Sequence, residues 1–318
     1  MNRGRSSIFL LLALLLLGAL TLGAAVGSEW INVFDLSHET RAILLDIRLP
    51  RVLLAASVGA GLAVAGAALQ SLLRNPLAEP YLLGVSNGAA LGTMLALVLF
   101  EQVAFARPLL AFAGAVAATL LVYQMARSRA GMNVERLVLS GVIVTTFLSS
   151  IIVLLTTLLD AARLRGFTFW LLGDLSQATW QGFYLTVVAA VLGTIVLSSQ
   201  ARGLNLMMIG ERDAIDYGVE VGRVRMIVFG TASMLVGAAV AASGSVGYVG
   251  LIVPHLIRLA IGRSDNRIVV PASALAGGAF VVLADAFART AIAPRELPVG
   301  AITALIGAPL FIYLLRRG

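Results

Sequence analysis

Cysteine and lysine are both missing from this 318-residue chain, histidine occurs twice, and charged side chains make up only 12% of it. Without cysteine the chain can build no disulfide framework, haem thiolate or iron–sulfur cluster. Without lysine it has no glycine-rich phosphate loop closed by Lys-Ser or Lys-Thr, so it does not hydrolyse ATP by that route on its own. His38 and His255 have no partner at metal-ligand spacing, and each reads as a locally hydrogen-bonded side chain. No metal site is expected. Carboxylates are scarce inside the apolar stretches: Asp46, Glu79, Glu101, Glu135, Asp160, Asp174, Asp285 and Glu296 fall near their ends. A proton-driven carrier or channel acting alone needs ionisable groups deep in the membrane, and that alternative loses most of its candidates. An intramembrane enzyme needs a catalytic cluster, and none stands out. The formal charge of +7 invites nucleic acid, but the arginines sit at the ends of apolar segments rather than in a basic stripe, so no such partner is expected.

What is present is hydrocarbon. Apolar residues make up 59% of the chain and mean hydropathy is +0.97, whereas soluble domains carry about 25% charge. Runs of about 20 apolar residues can cross a hydrocarbon core of roughly 30 Å. Ten can be placed, over 7–27, 51–73, 81–100, 108–126, 137–158, 181–199, 226–247, 250–262, 268–289 and 297–315. The expectation is an all-α polytopic membrane protein with residues 1–318 as a single domain. The eighth run is short and contains Pro254; if it fails to cross, the termini fall on opposite faces. With ten crossings, one set of loops carries Arg3, Arg5, Arg74, Arg127, Arg129, Arg202, Arg212, Arg223, Arg316 and others. The opposite set carries only Arg41, Arg48, Arg51, Arg107, Arg163, Arg165, Arg289 and Arg295. The richer set is expected to be cytoplasmic, with both termini inside. The first run exceeds the apolar core of a signal peptide and reads as a spanning helix.

Three local patterns stand out. "RNPLAEPYLLG" at 74–84 interrupts two apolar runs, and Pro76 and Pro80 forbid a continuous helix there. Small residues recur every fourth position at Ser233, Gly237 and Ala241, and at Gly61 and Ala65, which predicts close helix packing. The polar loop at 205–225 holds a charged, helix-length stretch from Glu211 to Tyr217, stopped by Gly218, then a second short stretch through Arg225. From composition a solvated loop is the default, and two short amphipathic helices on the cytoplasmic face would also fit.

"RLPR" at 48–51, "RNPLAEPYLLGVSNGA" at 74–89, "GERDAIDYGVEVGRVR" at 210–225, "SGSVGYVGLIVPHLIR" at 243–258 and "PRELPVGAITALIGAPLFIYLL" at 294–315 together resemble the FecCD family. These are permease subunits of type II ABC importers for ferric siderophores, haem or cobalamin. The resemblance runs collinearly from about residue 45 to the C-terminus. It implies ten transmembrane helices per subunit and a homodimer, or a pseudo-dimer with a related subunit, enclosing the path. It also implies two separate ATPase subunits that bind ATP and Mg, and a periplasmic or lipid-anchored binding protein. No cofactor belongs to this chain itself. By the same resemblance Asn75 and Leu77 belong to a cytoplasmic gate. Gly210, Glu211, Arg212, Asp213 and Gly218 belong to ATPase-coupling helices at about 205–225. Arg48, Arg51 and Arg289 face acidic residues of the binding protein, although Arg289 stands four residues after Asp285, where a local helix-end ion pair is a real alternative. Gln70, Asn87, Thr146 and Trp170 are candidate path residues. The breaks in "GYVGLIVPH" and "ELPVG" shape helix ends.

Overall fold

The computed structural model describes residues 3–27, 38–100, 102–103, 105–128, 131–132 and 134–317. Glu101 and Arg129 lie outside the described residues, as does most of the connection that begins at residue 28.

The described chain is helical apart from a two-residue antiparallel ladder, Arg127–Ser128 with Gly131–Met132, and one isolated bridge. Helix α1 covers Arg3–Ala25. A short helical turn at His38–Ala42 and a π-helical stretch at Ile43–Arg48 lead into α2, Leu49–Leu72. Then follow α3 (Val85–Leu99), α4 (Ala106–Ala126), α5 (Val134–Thr156), α6 (Ala161–Leu171), α7 (Trp180–Ser199), α8 (Ala201–Ile209) and α9 (Glu211–Asp216). The rest is α10 (Val221–Ser243), α11 (Val249–Ile261), α12 (Asn266–Thr290) and α13 (Val299–Arg317). Starts are written in the sequence: Pro50 occupies the first turn of α2. Asp160, Thr179 and Asp265 cap α6, α7 and α12 by accepting the N–H of Arg163, Gly182 and Arg267 at 2.9, 3.1 and 3.0 Å.

Among the described residues seven helices are long and apolar enough to cross a membrane, and α3, α11 and α13 are shorter apolar helices. These ten coincide with the ten expected runs, displaced by a few residues at their ends. Helix α2 is the axis of the molecule: no residue from Arg51 to Leu72 is exposed, as expected for a helix apolar on every side. It packs on α12, α7, α10 and α11. The closest approaches are glycine on glycine. A Cβ on Gly59 would lie 2.1 Å from the Gly277 carbonyl oxygen, and one on Gly66 would lie 1.9 Å from that of Gly250. Helices α3 and α4 meet in the same way at Gly88 and Gly114. The expected stripe does not make the tight contacts: Cβ atoms at Gly237 and Gly61 would find only ordinary neighbours at 3.4 and 3.7 Å.

Large apolar side chains cover the outside, among them Leu10, Leu11, Leu139, Phe147, Leu154, Leu185 and Ile195. In water such a surface would aggregate; in a bilayer it is the solvent-facing surface.

Candidate functional site

The residues singled out in the sequence gather mainly at two ends of the bundle. At one, α2 finishes beside the start of α12 and the α8–α9 hairpin. At the other, α2 starts beside the ends of α1 and α12.

At the hairpin end α2 stops without a glycine. Arg74 takes φ 49°, the left-handed region, and the Asn75 N–H donates back to Gln70 O at 3.0 Å, closing the last turn. Asn75 Oδ1 then accepts from the Leu77 N–H at 2.8 Å, which folds the chain over Pro76. Asn75 is exposed and Leu77 is 40% exposed. Both stand free at the surface of the single chain. The following residues turn inward. Glu79 Oε1 accepts from the Tyr248 N–H at 2.8 Å, and burial pushes its carboxyl upward while that bond pulls it down. The Tyr81 hydroxyl bonds both the N–H and the C=O of Val246, at 3.1 and 3.2 Å. Two motifs far apart in sequence, 74–84 and 244–248, are thereby sewn together. From Ala78 onward their irregular backbone is largely covered by protein, the setting in which such backbone survives at membrane depth.

The hairpin itself is α8, Gly210 and α9. Gly218 ends it with φ 78°, its N–H donating to Ile215 O and that of Val219 to Ala214 O, both at 2.9 Å. Glycine suits this left-handed position because it carries no Cβ. Leu204, Met207 and Ala214 bury the underside, and Glu211 pairs with Arg225 at 3.1 Å. Arg212 and Asp213 are exposed, together with Ile209, Ile215 and Tyr217 at 72%, 57% and 68%. The stretch through Arg225 forms no second short helix. It is the first turn of α10, and the companion to α9 is α8, which precedes it.

At the opposite end three arginines converge, facing inward. Arg48 donates to the Ala24 and Ala25 carbonyls at 3.2 and 2.7 Å, capping α1 with a cation. Arg51 makes bonds of 2.9 to 3.2 Å to the two oxygens of Asp285 and another of 2.8 Å to Glu296. Arg289 lies 3.0 Å from Asp285 and reaches the Val26 and Gly23 carbonyls. The three are 5–7% exposed and Asp285 is 1% exposed. So the local ion pair of Arg289 is realised, and the cluster clasps α1, α2 and α12. Arg51 and Arg289 share Asp285, and Arg51 also meets Glu296. None of the three is a free surface cation.

The candidate path residues are not brought together. Gln70 is buried, with its amide on the Gly250 and Leu251 carbonyls and on Arg258. Trp170 is buried and stacks on Phe167 at 6.2 Å. Both lie inside the single chain, where Gln70 links α2 to α11 and neither side chain reaches the surface. Asn87 ties α3 to α5 through Thr145 O and Ser149 Oγ at 3.0 and 2.6 Å. Thr146 is exposed, with its hydroxyl turned back to Val142 O. Asp285 and Glu296 as partners of Arg51 escaped the sequence reading, which carries no sign of pairing over more than 230 positions. Among the described residues no group of three His, Cys, Asp or Glu could hold a metal ion.

Comparison with known proteins adds the following. The family model described as the FecCD transport family matches residues 8–317. The cobalamin import system permease protein BtuC of Halobacterium salinarum is 43% identical, over 89% of this chain and 76% of its own length. The hemin transport system permease protein HmuU of Yersinia pestis is 40% identical, over 98% of this chain and 94% of its own. A solved structure described as an inward-facing conformation of an ABC transporter assigned to the metal-chelate type superposes with TM-score 0.89. It is 32% identical and covers 98% of this chain and 100% of that one.

Proposed function

This chain belongs to the FecCD transport family, and from that premise we propose that it is the membrane-spanning subunit of an ATP-driven importer for a metal chelate. Two copies, or one copy and a related subunit, enclose the path. A pair of ATPase subunits binds ATP and Mg and docks at the α8–α9 hairpin, and a periplasmic or lipid-anchored binding protein delivers the cargo at the arginine end. The reading puts all ten apolar helices across the inner membrane with both termini in the cytoplasm. Helix α11 is the shortest of the ten, about 20 Å for 13 residues. The non-helical residues 244–248 lead into it and complete the crossing.

The observation that carries the proposal is the hairpin from Ile209 to Gly218. It exposes Ile209, Ile215 and Tyr217 among charges, on a turn held by its own hydrogen bonds. Apolar groups rimmed by polar ones suit a protein partner. Asn75 and Leu77, exposed beside that end, form the inner gate. The positive field of the arginines at the opposite end, buried as they are, steers an acidic binding protein to that face.

The similar permeases named for cobalamin and hemin define the chemical range of cargo, to which ferric siderophores are added. Tryptophan-quenching titration of the binding protein encoded beside this gene, with haem, cobalamin and ferric siderophores, tests it. Tight binding of one chelate is expected. Selective binding of a sugar, amino acid or peptide instead would overturn the metal-chelate reading.

A further inference from the structure

Five polar side chains at the hairpin end have no task in transport as described above: Asn205, Asn266, Ser71, Arg258 and Gln70. They come from α8, α12, α2 and α11, and they form one connected chain. Asn205 Nδ2 donates to Asp265 Oδ1 at 2.7 Å, and its Oδ1 accepts the Asn266 backbone and side-chain N–H groups at 2.9 Å each. Asn266 Oδ1 accepts from Ser71 Oγ at 2.8 Å. Arg258 donates to Ser71 Oγ at 3.3 Å, to Ala67 O at 3.2 Å and to Gln70 Oε1. Gln70 closes the chain on α11 through Gly250 O and Leu251 O, while its own carbonyl accepts the Asn75 N–H of the gate turn.

Asn266 and Ser71 are 0% exposed and Gln70 is 3% exposed. An unmatched polar group there is costly, so each member holds its neighbour in one geometry. Apolar helix faces can slide; directional bonds fix register. Arg258 has only neutral acceptors among the described residues, so its cation is held for its reach and its several donors rather than by a carboxylate. One end of the chain is α8, half of the hairpin. The other is the turn that carries Asn75 and Leu77.

We propose that these residues form a strut that fixes the gate turn relative to the ATPase-docking hairpin, and that Ser71, Arg258 and Asn266 are positioning residues for energy coupling. The proposal rests on the importer reading of the two ends. Helix packing alone does not account for it, because Asn205 and Asn266 contribute no apolar area yet spend nearly all their polar atoms on each other and on Asp265 and Ser71.

The test uses the full complex, permease with ATPase subunits and binding protein, in proteoliposomes loaded with the chelate identified by titration. The quantity read is chelate moved per ATP hydrolysed, in wild type, Ser71→Ala and Asn266→Ala. Coupling between sites spans about 5–150-fold, so the ratio is expected to fall about threefold or more while ATP hydrolysis continues. A merely structural role lowers assembled complex, uptake and hydrolysis together and leaves the ratio unchanged; that result would overturn the strut. Ser71→Ala removes one hydroxyl and no backbone bond, so it decides the matter if Asn266→Ala fails to assemble. Absence of ATP-driven uptake in wild type overturns the importer reading, and the strut with it.

Discussion

Replacing Asp285 by Asn leaves the shape of the arginine clasp intact and removes its central charge. Asp285 is 1% exposed and accepts bonds of 2.9, 3.1 and 3.2 Å from Arg51, with Arg289 at 3.0 Å. Both cations are nearly as buried as the carboxylate, so neither can recover its loss by turning to water. Breaking a buried pair by removing one partner costs about 3–5 kcal/mol. For a chain of this size, at roughly 2 °C per kcal/mol, that is about 6–10 °C in Tm. Glu296 supplies the internal contrast. It meets the same Arg51 at 2.8 Å, but its side chain is 43% exposed, so Glu296→Gln should cost less than about 1 kcal/mol. The assay is thermal unfolding of the purified complex in nanodiscs, followed by loss of the monodisperse peak. A Tm for Asp285→Asn within 2 °C of that for Glu296→Gln, at the precision such scans reach, would refute the clasp.

Three further outcomes follow from the same geometry. Gly218→Pro demands φ near −65° where the chain has 78°, and it removes the bond to Ile215 O; stimulated ATP hydrolysis should fall to the unstimulated rate. Leu77→Ala trims an exposed gate side chain. A loss of about 1 kcal/mol in closed-state packing raises the open population about fivefold, read as leak of preloaded chelate from liposomes. Glu296→Gln removes one negative charge from the arginine end. Association with the binding protein should speed up roughly twofold or more at low salt, with the gain vanishing at high salt; an unchanged rate would remove electrostatic steering from the account.

The helices were legible because lipid-facing and core-facing positions are both apolar, so long runs announce themselves. Helix ends were less so: α10 begins at Val221 and absorbs residues that composition assigns to a polar loop. The gate turn could be located from Pro76 and Pro80, and Gly218 from its place after a charged stretch. What could not be read was the direction in which polar side chains point. Arg48, Arg51 and Arg289 look like surface cations in sequence, but helix packing sets them against Asp285 and the end of α1. Gln70 looks like a path residue because an amide inside an apolar run suggests a ligand; its partners are backbone carbonyls 180 positions away. The closest contacts were missed for the same reason. Glycine spacing within one helix does not say which glycine of another helix it meets, and Gly59 with Gly277 does not follow the four-residue stripe.

The central claim is import driven by separate ATPase subunits through a pore lined by this chain. Uptake of the identified chelate into proteoliposomes, with ATP supplied on the ATPase side, measures it directly. Uptake should require the ATPase subunits, the binding protein and hydrolysable ATP, and it should stop when the ATPase is inactivated. Uptake driven by an ion gradient, with the ATPase subunits left out, would contradict it.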